Sequence, residues 1–187
     1  MARDKEGVAR ELLALRCRRG DRAALEELIR TWEPRLLYFI RRLVRDEAHA
    51  WDILQETWMR VVKGISSLSD PQHLAPWLYR IARNTTLSHA RSREPPQEAL
   101  EDHTETLADD LSARALLEFE DAEQVHRGLS SLSLSHREVL TLFFLEDMSV
   151  EEVATVLNTP PGTVKSRLHY AKQALRKVIA EEGSRHE

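Results

Sequence analysis

The sequence predicts an all-α protein of two small helical domains joined by an acidic, flexible linker, and three observations carry that expectation. Apolar residues recur at helical spacing along most of the chain, and no run alternates with the period of two that a half-buried strand needs. Leu, Ala, Glu and Arg, all good helix formers, dominate the composition, while only six of the 187 residues are Gly. The charge is partitioned. The net charge is −4, yet Glu94 to Gln124 holds 11 acids against one base, Arg114, a balance of −10 that leaves +6 on the rest. The average hides two basic blocks on either side of an acidic stretch.

The first block opens with an amphipathic helix over residues 21–45, where Leu25, Leu28, Ile29, Leu36, Phe39, Ile40 and Leu43 fall at helical spacing and Pro34 either kinks or divides it. A second helix follows over 47–64. Trp51, Leu54, Trp58 and Val61 form its expected core stripe, and Asp52, Gln55, Glu56 and Arg60 occupy the other side. Asp70 reads as an N-cap with Pro71 at the first helical position. Pro76 begins a helix bearing Trp77, Tyr79, Arg80, Arg83, Asn84, Arg91 and Arg93, with no acid among them. Aromatics interleaved with arginines suit unpaired bases, because rings stack on bases and guanidiniums hold phosphates. The same residues read equally as core aromatics beside solvated arginines, and on chemistry alone the 52/55/56/60 set reads first as a solvated face.

The connector, "REPPQEALEDHTETLADD", starts at Arg93. Its two prolines stop a helix arriving from the left, and it has few apolar residues to bury. At about 3.3 Å per extended residue it would span several tens of Å.

The second block is expected to hold helices over 115–130, 135–145, 150–157 and 161–180. "SHRE" and "SVEE" each place a Ser three residues before a Glu, the capping-box pattern, at Ser135/Glu138 and Ser149/Glu152. Asn158 to Pro161 makes a short turn, and Pro161 suits the first turn of the last helix. Wound at about 100° per residue, that helix puts Val164, Leu168, Ala171, Leu175 and Val178 on one stripe, docked on Val153, Val156 and Leu157. Ser166, His169 and Gln173 fall opposite. Lys165, Lys172 and Arg176 flank one side, Tyr170 and Lys177 the other, and Arg167 lies at the core boundary. Two helices across a short turn, the second basic, is helix-turn-helix geometry. Thr163 and the amides of the helix start suit a phosphate. Lys165 and Arg167 suit phosphate or guanine, and Ser166 and His169 lie where base edges would be. Arg176 suits the backbone further along.

Several function classes are expected to be absent. Cys17 is the only cysteine, so neither an internal disulfide nor a cysteine zinc site is available, which fits a reducing cytoplasm. The stretch "MARDKEGVARELL" lacks the apolar core of a signal peptide, and no run approaches a membrane span. No phosphate-binding Gly loop and no HExxH spacing occurs. Neither enzymatic activity, cofactor nor metal is expected.

Four segments in order resemble one family, the extracytoplasmic-function (ECF) sigma factors of bacterial RNA polymerase. "LLALRCRRGDRAALEELI" resembles the start of sigma region 2, "DILQETWMRVV" its polymerase-docking segment and "PWLYRIARNT" the start of its −10-reading part. "LSHREVLTLFFLEDMSVEEVATVLNTPPGTVKSRLHYAKQALR" resembles region 4, the −35 reader. The resemblance implies region 2 over 10–93, a linker over 94–112 and region 4 over 113–180. It implies docking on core RNA polymerase, at the β′ clamp and β flap, with Asp52, Gln55, Glu56 and Arg60 on the clamp. Trp77, Tyr79, Arg80, Arg83, Asn84, Arg91 and Arg93 would read the −10 element, Asn84 receiving a flipped base. Thr163, Lys165, Ser166, Arg167, His169, Tyr170, Gln173 and Arg176 would read the −35 element. An anti-sigma partner, promoter DNA as ligand and a cytoplasmic location are implied as well, and the linker would thread toward the RNA exit path. The chain departs from the family where Ser88, His89 and Tyr170 stand, all at DNA-reading positions. The residues themselves leave two rivals, a stand-alone helix-turn-helix regulator that would bind palindromic sites as a dimer, and an adaptor without promoter reading.

Overall fold

The structure, a computed structural model, describes residues 2–44, 46–93 and 127–183. The chain forms two compact units, Met1–Gln97 and Glu98–Glu187. The described residues are helical in both, with no strand among them. The connector over 94–112, and most of the helix expected over 115–130, lie outside the described residues.

The first unit holds α1 (Ala2–Arg18), α2 (Arg22–Leu43), α3 (Glu47–Gly64) and α4 (Leu74–Arg93), with single helical turns at Ile65–Ser67 and Pro71–His73 before α4. Helix α1 was not expected from the sequence. It buries Leu13, Ala14 and Cys17, a stripe dominated by small side chains and flanked by charge. Gly20 lets the chain leave α1 with φ +78, and its amide reaches the carbonyl of Cys17 at 2.9 Å. Asp21 then caps α2, accepting from the Ala24 amide at 3.1 Å. Arg16 closes the corner. Its Nε donates to Asp21 Oδ2 at 2.9 Å and its Nη1 to Glu27 Oε2 at 3.2 Å. The Ala24 amide first, and the Arg16 guanidinium next, hold the Asp21 carboxyl below its ordinary value.

A methyl group added at Gly20 would meet nothing within 4 Å, so a substitution there tests backbone strain alone. Gly20→Ala is expected to lower the stability of the first unit by about 1–2 kcal/mol, the cost of a left-handed residue with a Cβ. Urea melts followed by circular dichroism will read it.

Pro34 lies inside α2, which runs through it without dividing. A proline inside a helix costs about 3 kcal/mol through the lost hydrogen bond and the clash of its ring with the preceding turn, and the burial of Leu28, Trp32, Leu36, Leu37 and Ile40 on both sides of Pro34 offsets it. The core of the unit is aromatic at its centre. Tyr79 of α4 is 0% exposed and meets Phe39 and Trp32 of α2 edge-on, at centroid distances of 5.2 and 6.1 Å. Several arginines of this block serve the fold. Arg35 lies over the ring of Trp32 at 4.9 Å and Arg42 over Tyr38 at 4.8 Å.

The second unit holds a helical turn over 127–130, α5 (Leu134–Leu140), a π-helical turn (Thr141–Leu145), α6 (Val150–Leu157) and α7 (Pro161–Gly183). The helix expected over 135–145 is therefore in two parts. The Glu146 amide reaches back to the Thr141 carbonyl at 3.0 Å, a five-residue step that widens the last turn. The capping box expected at Ser135/Glu138 does not form. Ser133 is the N-cap, accepting from the His136 amide, and Glu138 is buried. The box at Ser149/Glu152 does form, with bonds of 3.1 and 2.8 Å.

Candidate functional site

Three helical faces collect the residues that sequence reasoning singled out. The first is on α3. Its buried side is Ala50, Ile53, Leu54, Thr57, Trp58 and Val61, which keeps Leu54, Trp58 and Val61 of the expected stripe and shifts its centre by about 50°. Trp51 is not core. It stands 48% exposed, with Met59 at 57% and Val62 at 47% along the same side. Gln55, Trp58, Met59, Val62 and Lys63 line an open apolar pocket there. Asp52 and Gln55 are exposed beside this stripe. Winding the helix at about 100° per residue puts Glu56 and Arg60 further round, away from it.

Glu56 is already engaged. Its Oε1 accepts from Arg60 Nε at 3.0 Å, and its Oε2 accepts from His89 Nε2 of α4 at 2.6 Å. His89 first and Arg60 next hold the Glu56 carboxyl below its ordinary value. The predicted quartet is thus two pairs. Asp52 and Gln55 flank the exposed apolar stripe, while Glu56, half-buried, and Arg60, exposed, pair with each other and, through Glu56, with His89 of the next helix.

The second face is on α4. Asp70 caps the turn that leads into it, accepting from the Gln72 amide at 2.9 Å. Arg80, Asn84, Ser88 and Arg91 are exposed, at spacings of four, four and three residues, and form one continuous stripe. Arg83 and Trp77 are half-buried at its margin, and the Trp77 ring approaches Gly64 so closely that a Cβ there would lie 3.3 Å from it. Tyr79 must be corrected. It lies about 140° round the helix from Asn84 and is fully buried between Trp32 and Phe39, so no nucleic acid reaches its ring. The Arg93 side chain lies outside the described ones.

The third face is on α7. Val164, Leu168, Ala171 and Leu175 are buried as expected, and Val153, Val156 and Leu157 of α6 are buried too. Asn158 ends α6 in the left-handed conformation, φ 53, and the Thr159 amide returns to the Ala154 carbonyl at 3.1 Å. Pro161 starts α7, so the turn is three residues. Thr163, Lys165, Arg167, His169 and Tyr170 are half-buried, and Gln173 and Arg176 are exposed. The Gln173 side-chain nitrogen lies 2.9 Å from His169 Nε2, and the Tyr170 ring meets the imidazole edge-on at 5.5 Å. Ser166 is a second correction. It is only 7% exposed, and its hydroxyl donates to the Thr163 carbonyl at 3.0 Å, a local bond that turns it from the outward face. Lys172, placed on a flank from the sequence, is buried as well.

Among the described residues no helix is long and apolar enough to cross a membrane, and no three His, Cys, Asp or Glu side chains gather in a metal-holding group.

Comparison with known proteins gives these faces a context. Residues 28–95 match Sigma-70 region 2, and residues 122–175 match Sigma-70, region 4. The chain is 33% identical to the RNA polymerase sigma-H factor of Pseudomonas aeruginosa over 89% of its own length and 92% of that protein's. It is 34% identical to the ECF RNA polymerase sigma factor SigC of Mycobacterium tuberculosis, covering 93% and 92% of the two chains. In fold it is similar to CnrH, solved in complex with the cytosolic domain of CnrY, with a TM-score of 0.68 at 24% identity, covering 92% of this chain and 98% of that one. It is also similar to RpoE of Bartonella quintana, solved with the anti-sigma factor NepR, at 0.64 and 24%, covering 83% and 96%. With both sigma-70 regions present in order and full-length relatives above 30% identity, the chain belongs to the ECF branch of the sigma-70 family of RNA polymerase sigma factors.

Proposed function

We propose that the two units divide the work of a sigma factor between them, each through the faces described above. Residues 10–93 dock on core RNA polymerase and read the −10 element. Residues 94–112 connect, and residues 113–180 read the −35 element. Asp52 and Gln55, with the apolar stripe beside them, meet the β′ clamp. Arg80, Arg83, Asn84 and Arg91, with Trp77 beside them, take the −10 strand. Guanidiniums hold its phosphates, and Asn84 receives an extruded base, whose unstacking costs a few kcal/mol and is offset by pocket contacts. Thr163 and the α7 amides hold a phosphate. Lys165, Arg167, His169, Tyr170, Gln173 and Arg176 face the −35 duplex. The second unit also meets the β flap.

The observation that carries this reading is α7. It is a 23-residue helix seated on α6 across a three-residue turn, with Gln173 and Arg176 exposed and Lys165, Arg167, His169 and Tyr170 half-buried along it. The factor itself makes and breaks no bonds, since the polymerase supplies the chemistry. It works in the cytoplasm, where the core enzyme is. Two structures of similar fold were solved with CnrY and with the anti-sigma factor NepR, which supports an anti-sigma protein as a further partner.

The test is co-purification of the full chain with bacterial core polymerase, followed by run-off transcription from a random promoter library. Enriched transcripts sharing a −35/−10 pair are expected. Failure of the folded protein to bind core polymerase overturns the reading and favours a stand-alone regulator. Binding without transcripts favours an adaptor.

A further inference from the structure

The exposed stripe of α3 carries a sulfur atom. Met59 is 57% exposed, and with Gln55, Trp58, Val62 and Lys63 it lines the open apolar pocket. It stands one helical turn from both Gln55 and Lys63 and about 20° round the helix from Asp52, so its thioether lies within the face that bears Asp52 and Gln55.

The other sulfur atoms are shielded where the structure describes them. The chain has three methionines and one cysteine. Met1 lies outside the described residues, Met148 is 5% exposed and Cys17 is 1% exposed. A cysteine attacks a peroxide as its thiolate. Burial, the largest influence on the Cys17 thiol, pushes it up and away from that form. A thioether has no proton to lose, so its reactivity follows exposure. Among the described residues Met59 is therefore the sulfur most open to an oxidant.

We propose that Met59 is a reversible oxidation site, through which a hydroperoxide weakens docking on core RNA polymerase. The sulfur lone pair attacks one oxygen of the peroxide. The S–O bond forms as the O–O bond breaks, and the attacked oxygen gives its proton to the departing hydroxide, which leaves as water. Sulfur loses two electrons and the peroxide gains them. The product is a sulfoxide, a polar and chiral group in place of a flexible apolar one. It introduces an acceptor oxygen into an otherwise apolar stripe, and closing the interface over it without a donor weakens binding by about tenfold or more. Reduction of the sulfoxide to the thioether restores the stripe. The inference rests on the reading of α3 as the docking helix.

The experiment uses the full chain, hydrogen peroxide as the oxidant and catalase to end the reaction. Peptide mass spectrometry locates the added oxygen, and fluorescence anisotropy reads affinity for core polymerase. Wild type, Met59→Leu and Met59→Gln are each compared with themselves before and after peroxide. Met59 is expected to oxidise faster than Met148, and more slowly once the chain is bound to core polymerase. The oxidised wild-type protein should bind at least about tenfold more weakly, and methionine sulfoxide reductase with dithiothreitol should restore it. Met59→Leu should keep after peroxide whatever affinity it had before. Met59→Gln, polar at the same place, should bind more weakly than Met59→Leu and be indifferent to peroxide. Undiminished binding by protein oxidised at Met59 overturns the proposal. So does an equal loss in Met59→Leu, which moves the effect to another residue, and so does a loss that tracks a fall in the thermal midpoint. Equal oxidation of Met59 in the free and bound chain, with core binding intact, instead removes this stripe from the interface and overturns the docking reading. A wild-type protein that fails to bind core polymerase before any peroxide overturns the sigma-factor reading, so the failures are distinct.

Discussion

Tyr79→Ala is expected to unfold the first unit at physiological temperature while leaving the second unit's transition in place. The ring is wholly buried and bridges α4 to α2 through edge contacts with Phe39 and Trp32. Truncating an aromatic at such a site costs about 3–5 kcal/mol, through lost transfer energy and the cavity left behind. Aromatic pairs add about 0.5–1.5 kcal/mol each beyond burial. A domain of this size has about 5–15 kcal/mol in all. Tyr79→Phe keeps the ring and should cost about 1 kcal/mol at most. Scanning calorimetry of the full chain reads both. A Tyr79→Ala protein with unchanged melting and a selective loss of −10 reading would restore the tyrosine to the DNA face.

The case of Tyr79 also shows where the sequence was sufficient and where it was not. Helical periodicity placed α2, α3, α6 and α7 to within a few residues, because each has a wide apolar stripe and a recognisable cap or turn. It failed on α1, whose buried residues include the small Ala14 and Cys17 among charges, so the stripe is faint. On α3 the failure was of another kind. The helix is apolar on two sides, and spacing cannot say which side is core. Trp51 was assigned inward by its helical spacing with Leu54, Trp58 and Val61, which are buried, yet Trp51 itself is 48% exposed and Ala50, Ile53 and Thr57 complete the buried side. A helical wheel that included Met59 and Val62 would have shown the second stripe. Interleaved aromatics and arginines on α4 were likewise ambiguous, and the structure divides them: Tyr79 in, Arg80 and Asn84 out. Ser166 was misplaced because a short hydroxyl side chain can turn back onto its own backbone, which a wheel does not represent. The Glu56–His89 bond joins residues 33 positions apart, and no local pattern encodes such a pair.

The second large effect is expected on α3. Asp52→Lys should weaken core polymerase binding by about 2–5 kcal/mol, the usual loss when a charge is removed from a hydrogen-bonded interface pair, and so by at least about thirtyfold. Helicity should be unchanged, because Asp52 is exposed and mid-helix. Electrostatics alone would make the loss salt-dependent. The apolar stripe beside Asp52 adds a component that salt does not screen, and it has its own variant. Trp51 is 48% exposed, and no core packing accounts for so large an apolar surface beside Met59 and Val62. Tryptophan is among the residues that carry most of the energy at protein interfaces, often 2 kcal/mol or more on truncation. Trp51→Ala should therefore weaken binding by at least about thirtyfold with little effect on melting, the reverse of Tyr79→Ala. Titration of labelled protein with core polymerase at two salt concentrations separates the two contributions. The Asp52→Lys defect should depend on salt, and the Trp51→Ala defect should not. Equal affinity for wild-type and both variants, with their helicity intact, would remove α3 as the docking helix. It would also remove the reason for an amphipathic helix to leave a tryptophan, a methionine and a valine in water.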